Sequence, residues 1–256
     1  MMKRNGIPYR LAGLLAAVLL LLPSCRKDGK ETYLYPNETY TYRTAVDESI
    51  LTTGLNETYL YLANKQHPIS EDYNPGELVT LQTSITNKTE RLEARTAQAL
   101  YAMLAEMRAD GVTDIFVTSA YRTFARQQQL YNQYIANEEA KGLSHAEAVQ
   151  KAGRYSAPPG YSEHQTGFVV DFMTSTMSDL DESFEGTAAF RWLYENCYRF
   201  GFILRYPKSA DKIAITDYDY EPWHYRFVGR EAATEIMKRG ITLEEFLDMD
   251  FQAVKK

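Results

Sequence analysis

Short apolar runs alternate irregularly with helical patterns along the second half of the chain, and this alternation limits the folds open to it. Because the runs are short and bounded by turn residues, they predict buried strands. The predicted strands occupy residues 115–117, 168–170, 202–206 and 224–228. They are too few and too unevenly spaced for a repeated βαβ sheet. The sequence therefore predicts an α+β domain in which a small antiparallel sheet is flanked by helices.

Periodicity and capping residues locate the helices. Leu100, Met103, Leu104 and Met107 share one helical face, and Gly111 follows as a C-terminal cap. Ser-x-x-Glu from residue 144 and Thr-x-x-Glu from residue 242 are capping boxes, which mark helix starts. Further predicted helices cover residues 124–138, 187–199, 230–239 and 242–248, and another begins at residue 144.

Composition excludes several classes of protein. The 256 residues are 45% hydrophobic and 24% charged, which suits one sizeable domain with an appendage rather than a disordered chain. The formal net charge of −6 argues against nucleic acid as a partner, because phosphate binding needs a basic excess. Two cysteines cannot form a disulfide framework. Cys197 lies on an apolar helical stripe with Phe190, Leu193 and Tyr194, which indicates a buried thiol without catalytic use.

The N-terminus predicts export. Lys3, Arg4 and Arg10 precede an apolar run over residues 11–22, which is shorter than the roughly 20 residues of a membrane-spanning helix. We interpret residues 1–24 as a signal peptide. The Leu-Pro-Ser-Cys ending resembles the lipobox of bacterial lipoproteins, which implies that Cys25 is lipidated and anchors the mature protein to a membrane in the cell envelope, facing the cell wall.

Residues 25–60 follow as a predicted polar tether, and residues 61–256 as the single catalytic domain. The tether begins with charged residues that bury too little apolar surface to offset chain entropy. Asn-Glu-Thr-Tyr occurs twice, at 37–40 and 56–59, but two copies of four residues do not make a structural repeat.

Two of the four histidines lie in segments rich in candidate metal ligands. His164 precedes Asp171, a carboxylate that ends a predicted buried strand and therefore needs a partner. His224 follows Glu221 by three residues, a spacing at which Glu221 is placed to act as a general base. Imidazole and carboxylate are ligands that a catalytic zinc ion prefers.

The other two histidines give no such signal. His67 stands before a proline without a carboxylate at ligand spacing, and His145 stands at an exposed helix start. We expect neither to bind a metal.

Four motifs together resemble the VanY-type D-alanyl-D-alanine carboxypeptidases, which are zinc peptidases of bacterial cell-wall metabolism. They occur in the order of that family over about two thirds of the chain. The motifs are Asn-Lys-Gln-His-Pro at 64–68, Ser-Ala-Tyr-Arg at 119–122, Ser-Glu-His-Gln-Thr-Gly-x-x-x-Asp at 162–171 and Glu-Pro-Trp-His-Tyr-Arg at 221–226.

The resemblance implies a role for each matching residue. His164, Asp171 and His224 would bind one zinc ion at the sheet. Glu221 would be the general base. Arg122 would stabilise the developing oxyanion or hold the substrate carboxylate, for which the planar guanidinium is suited. The candidate substrate-binding residues are Ser119, Gln127 and Ser162, with Tyr121 and Trp223 as aromatic platforms, although packing is the commoner role of such aromatic residues.

The expected function is zinc-dependent removal of the terminal D-Ala from peptidoglycan stem peptides by a monomer. An L,D-carboxypeptidase, a D,D-dipeptidase or a cross-link endopeptidase would share these motifs, so they stay open as alternatives. A wall-binding lipoprotein without catalysis is a further alternative, although it would have no need of Glu221. A serine mechanism is the remaining one, but the sequence lacks Gly-x-Ser-x-Gly.

Overall fold

The central sheet is built from the four buried apolar runs of the sequence. In the computed structural model, which describes residues 40–249, these runs form antiparallel strands whose order across the sheet is 116–119, 169–173, 224–227 and 202–204. The strands are β3 (Phe116–Ser119), β4 (Val169–Met173), β5 (Phe202–Leu204) and β6 (His224–Phe227), and a separate hairpin joins β1 (Leu78–Thr80) to β2 (Arg91–Glu93). Every residue of β4 and β6 is buried, so charged groups on these two strands lie inside the protein.

Helices surround this sheet, and residues 40–249 belong to one compact unit. The α-helices are α1 (Glu48–Leu51), α2 (Ala94–Ala109), α3 (Phe124–Ala140), α4 (His145–Tyr155), α5 (Ala188–Asn196), α6 (Ala210–Thr216), α7 (Arg230–Arg239) and α8 (Leu243–Leu247). Short 3₁₀ turns cover Glu163–Thr166, Glu182–Gly186 and Cys197–Phe200. Over residues 40–249, no helix combines the length and the apolar character needed to cross a membrane.

The predicted α+β class and the small antiparallel sheet are confirmed. Both predicted capping boxes are present, at α4 and α8. The four apolar residues predicted for one face of α2 are all fully buried in the main core, and Gly111 follows that helix with φ +85°. The sequence patterns did not predict α1, α6 or the β1–β2 hairpin, which are short and have little periodicity of their own.

Residues 40–60, the later part of the predicted tether, pack on the domain. Leu51 is fully buried, and the ring of Tyr59 lies 5.2 Å from that of Phe168. The hydroxyl of Tyr42 donates a hydrogen bond to the carbonyl of Arg199. Tyrosine buries its ring while its hydroxyl stays paired, so a segment that looks polar by composition contributes to the core. The predicted signal peptide and Cys25 lie outside the described residues.

Candidate active site

The register of the sheet places the predicted ligands together. Asp171 on β4 is directly opposite His224 on β6 and is also paired with Ser119 on β3. His164 comes from the 3₁₀ turn that precedes β4. The ligand atoms of His164, Asp171 and His224 all lie within 4.8 Å of one another, and all three side chains are buried.

The atoms at the centre of this group converge without satisfying one another. His164 Nε2 lies 3.2 Å from Asp171 Oδ2, and His224 Nδ1 lies 3.1 Å from Asp171 Oδ1. Nevertheless, His164 Nε2 and Asp171 Oδ1 are buried without a hydrogen-bond partner in residues 40–249. Buried polar atoms are rarely left so. Lone pairs that point at a common centre instead of at one another fit a metal ion.

The outer nitrogen of each imidazole is occupied, which leaves the inner one for a metal. His164 Nδ1 lies 2.6 Å from the carbonyl oxygen of Ala120, to which it donates. His224 Nε2 lies 3.4 Å from Glu163 Oε2. A hydrogen bond at one ring nitrogen fixes the tautomer and directs the lone pair of the other at a metal. Two imidazoles and one carboxylate make the three-ligand set of a catalytic zinc site, so these residues fit zinc.

Glu221 lies beside this ligand set. It begins a tight turn in which the backbone N–H of His224 donates to the Glu221 carbonyl, and its Oε2 lies 3.4 Å from His224 Nδ1. Burial raises the pKa of Glu221 to about 8, although His224 and Arg122 oppose this shift. A carboxyl group with a raised pKa in this place can accept and release a proton near neutral pH.

Burial and neighbouring charges shift the pKa values of the three ligands in different directions. Burial lowers the pKa of His164 to about 4. Burial also disfavours the charged form of His224, but the neighbouring carboxylates of Asp171 and Glu163 outweigh it and raise the pKa of His224 to about 9. Burial would raise the pKa of Asp171, yet the two imidazoles hold it well below its usual range. Asp171 is therefore an anion, which is the form in which a carboxyl group binds a metal.

Arg122 reaches the ligand set from the end of β3. Its Nη2 lies 3.4 Å from Asp171 Oδ2, and its backbone N–H donates to the carbonyl of His164. Its Nη1 donates to Gln127 Oε1 at 2.7 Å. The buried Nε–H of Arg122 has no partner in the part of the chain that the structure describes.

Gln127 holds Arg122 and does not point a free group at a substrate. Its Nε2 donates to the carbonyl of Ala157 at 2.7 Å and to Ser156 Oγ at 3.3 Å, while its Oε1 accepts from Arg122. Gln127 is buried with both amide atoms occupied, so in this structure it supports the guanidinium, and its predicted contact with substrate stays a prediction.

The structure brings some of the other candidate substrate residues to the ligands and holds others in packing. Ser119 is half-buried on the strand next to Asp171, and Ser162 is buried directly before the 3₁₀ turn that carries His164. Tyr121 is half-buried with the Arg91 guanidinium 5.3 Å from its ring centre. Trp223 is half-buried against the main core.

A buried carboxylate that the sequence analysis did not select, Glu163, lies behind His224. It accepts from Arg205 Nε at 2.8 Å and from Arg226 Nη1 at 3.0 Å, and these three side chains have no exposed surface. An arginine among the aromatic residues of β6 was the available signal, because a buried guanidinium requires an anion.

A serine nucleophile finds no support in the geometry. Ser-x-x-Lys, the motif of penicillin-sensitive carboxypeptidases, does occur at Ser209–Lys212. However, Lys212 Nζ is bound to both carboxylate oxygens of Glu245 at 2.8 Å, and Ser209 precedes α6. The lysine is held as an ammonium by Glu245, so it cannot serve as the base of such a mechanism.

Comparison with known proteins agrees with this geometry. The family model described as "VanY: D-alanyl-D-alanine carboxypeptidase" matches residues 89–230. A D-alanyl-D-alanine carboxypeptidase of Enterococcus faecalis (strain ATCC 700802 / V583) is 39% identical over 94% of this chain and 84% of its own length. The chain belongs to the VanY family. The matched range contains all the predicted metal ligands, Glu221 and Arg122, and it ends before α8.

Solved structures of several carboxypeptidases share the fold. A vancomycin resistance D,D-pentapeptidase VanY in complex with Zn(II) is 42% identical, with a TM-score of 0.65, over 75% of this chain and 100% of that one. VanYB in complex with D-alanine-D-alanine gives the same identity and TM-score over 75% and 98%. The LdcB LD-carboxypeptidase is 31% identical, with a TM-score of 0.65, over 82% and 99%. Members of the VanY family thus include a zinc complex, which agrees with the ligand set found here.

Proposed function

We propose that this protein is a zinc-dependent D-alanyl-D-alanine carboxypeptidase that removes the terminal D-Ala from peptidoglycan stem peptides. One observation carries the proposal: His164, Asp171 and His224 direct their ligand atoms at one point, with Glu221 and Arg122 beside it. A ligand set alone would suit a binding protein. A carboxyl group with a raised pKa at its edge indicates hydrolysis, because a general base is of use only in a reaction.

The residues of the chain divide the work of peptide hydrolysis. Zinc held by the three ligands would lower the pKa of a water molecule toward ~7 and polarise the scissile carbonyl. Glu221 accepts a proton from the attacking water on a carboxylate oxygen and delivers it to the leaving amine of D-Ala.

Arg122 recognises the end of the substrate. Its Nε–H is buried without a partner among residues 40–249, and Gln127 and Asp171 fix the guanidinium in place. A guanidinium held in this way matches the free α-carboxylate of a terminal D-Ala. The proposal is therefore an exopeptidase that acts on uncross-linked stems.

The comparisons favour D,D- over L,D-specificity. The chain is 42% identical to the VanY enzymes, one of which holds D-alanine-D-alanine, and 31% identical to the LdcB LD-carboxypeptidase. The test is mass spectrometry of products from synthetic stems of defined stereochemistry. We expect loss of one D-Ala from a pentapeptide ending in D-Ala-D-Ala and no cleavage of the tetrapeptide. Cleavage of the tetrapeptide alone would assign L,D-carboxypeptidase activity instead.

We further propose that the mature protein is a monomer anchored in the cell envelope by a lipid on Cys25. The support is the Leu-Pro-Ser-Cys ending of the apolar run, together with a substrate that lies outside the cytoplasm. The measurement is membrane fractionation and precursor processing of Cys25→Ala. Unchanged processing and membrane association in that variant would contradict the lipid anchor.

A further inference from the structure

Glu163 is the centre of a buried charge cluster behind the metal ligands. One carboxylate oxygen, Oε1, accepts from Arg205 Nε at 2.8 Å and from Arg226 Nη1 at 3.0 Å. The other, Oε2, lies 3.4 Å from His224 Nε2. The ring of Tyr206 lies 4.8 Å from that of His224 and covers the imidazole. The two carboxylate oxygens of Glu163 thus have different partners, and only Oε2 faces a metal ligand.

The same cluster extends to segments far apart in the sequence. Arg205 makes a paired contact with α8, since its Nη1 and Nη2 donate to the two carboxylate oxygens of Glu244 at 2.9 and 2.7 Å. Asn64 also donates to Glu244 at 3.0 Å. Arg226 Nη2 donates to the backbone carbonyls of Tyr59 and Tyr61. The family model covers only residues 89–230, so these supports come from outside the matched range.

We propose that Glu163 is the positioning residue of His224, and that Glu244 on α8 holds Glu163 in place through Arg205. Glu163 accepts the Nε2–H of His224 and so keeps the lone pair of Nδ1 directed at the metal position. The arginines on Oε1 prevent the carboxylate from turning away. This inference rests on the proposed zinc function and adds residues to it.

Replacement of Glu163 by glutamine tests the hydrogen-bond direction directly. Two guanidinium donors face Oε1, so the amide must turn its only oxygen toward Arg205 and Arg226. Its –NH₂ group then faces His224 Nε2 as a donor, and the imidazole must become an acceptor there. The proton moves to Nδ1, which removes the lone pair that a metal requires. The glutamine is nearly isosteric, so the change acts on the tautomer rather than on packing.

The experiment measures the zinc Kd of the full chain by competition with a chromophoric chelator, and the absorption spectrum of the Co²⁺-substituted protein. We expect Glu163→Gln to weaken zinc binding by about 10–100-fold, the usual effect of removing a group that orients a metal ligand. We also expect it to change the ligand-field bands of Co²⁺. Zinc affinity and a Co²⁺ spectrum equal to the wild type would overturn the proposal.

Glu106→Gln is the matched control. Glu106 is also a fully buried carboxylate, and it accepts from the backbone N–H of Arg43 at 2.6 Å and from the hydroxyl of Thr44 at 2.8 Å. It contacts none of the metal ligands through these bonds. Glu106→Gln is expected to lower thermal stability with the zinc Kd and the Co²⁺ spectrum unchanged. An equal loss of zinc affinity in both variants would show a general effect of destabilisation and overturn the positioning role.

A pair of variants on α8 decides the question if Glu163→Gln does not fold. Glu244 contacts Arg205, whereas its neighbour Glu245 binds Lys212 and caps the helix start at Thr242. We expect Glu244→Gln to weaken zinc binding, by less than the roughly 10-fold lower limit for Glu163→Gln, and Glu245→Gln to leave it unchanged. Equal zinc affinity of the two variants would refute the support from α8. Absence of zinc binding by the wild type would refute the proposed function instead.

Discussion

The two sides of His224 each present a buried glutamate at the same distance, and the two glutamates differ in their charged partners and in the direction of their pKa shift. Glu163 Oε2 lies 3.4 Å from Nε2 of the ring, and Glu221 Oε2 lies 3.4 Å from Nδ1. Burial disfavours the charged form of both. On the Glu163 side, Arg205 and Arg226 outweigh burial and hold the pKa of the carboxyl far below its usual range. On the Glu221 side, burial prevails, and the pKa rises to about 8.

The difference teaches that partners, rather than depth or residue type, decide what a buried carboxylate does. A carboxylate between two guanidiniums is a permanent anion that can orient a ring but cannot exchange protons near neutral pH. A carboxyl group that no guanidinium holds as an anion can have its pKa raised by burial to near neutral pH, where it can both accept and release a proton. His224 therefore has a fixed partner on one side and a reactive one on the other.

Removal of a metal ligand should have the largest effect, because without the metal neither the orientation of His224 by Glu163 nor proton transfer by Glu221 supports hydrolysis. We expect His164→Ala to lose bound zinc and to lower hydrolysis of a D-Ala-D-Ala stem to the uncatalysed background. Metal analysis and product assays check this. His145→Ala is the matched control, since His145 is exposed and pairs only with Glu139 in the described chain. Full activity of a chelator-treated wild type would contradict the zinc mechanism.

Neutralisation of Glu221 should separate catalysis from metal binding. Glu221→Gln is expected to keep zinc and to lower kcat on the order of 10²–10⁴-fold, because the proton acceptor is removed while the ligands remain. The measurement combines steady-state kinetics with zinc content. Glu195→Gln, an exposed site on α5, should leave both unchanged. A Glu221→Gln protein that loses zinc but keeps its turnover per bound metal would make Glu221 a support, like Glu163.

Recognition of the substrate carboxylate should give the next largest effect. A pentapeptide stem with a C-terminal amide leaves the guanidinium of Arg122 without its partner, so we expect kcat/KM to fall roughly 10²-fold against the free acid. Arg122→Lys should not restore the preference, because an ammonium lacks the planar fork. Equal cleavage of acid and amide would move the assignment toward a cross-link endopeptidase.

The smallest expected effect is on thermal stability, where replacement of the two glutamates should shift Tm in opposite directions. The pKa of Glu221 is about 8 in the folded chain and ~4.3 when unfolded, so the folded state binds the proton more tightly and loses stability as pH rises between those values. In chelator-treated protein at pH 7, Glu221→Gln should therefore raise Tm. Glu163→Gln should lower it, because two buried guanidiniums lose their anion. Thermal unfolding followed by circular dichroism resolves shifts of roughly 2–4 °C per kcal/mol. Shifts of the same sign would contradict the comparison.

The sequence was sufficient to predict the fold class, most helices and strands and the residues that converge at the site. His164, Asp171 and His224 stand in continuous motifs, and capping boxes depend only on residues three apart. These features are local, and the antiparallel sheet then brings the motifs together. The candidate site could therefore be predicted wherever its functional residues lie close together in the sequence.

The charge cluster and the start of the domain were not visible for the opposite reason. Glu163 lies in a 3₁₀ turn, Arg205 directly follows β5 and Glu244 lies on α8, and no spacing along the chain relates them. Glutamate and arginine are residue types that usually lie at the surface, so none of the three stands out alone. Residues 40–60 present a similar difficulty, because polar residues separate the tyrosines whose rings pack on the core.

The pairing of Asp171 with His224 across two neighbouring strands also determines where this protein can change its length during evolution. A strand alternates its faces residue by residue, so one inserted or deleted residue inside β4 would turn Asp171 away from His224. Length variation must therefore collect in exposed loops, such as the stretch at residues 178–183. Homologous chains that differ in length should keep the number of residues from Val169 to Asp171 constant. Their insertions should then lie in the loops, while the spacing of the site residues on the sheet stays the same.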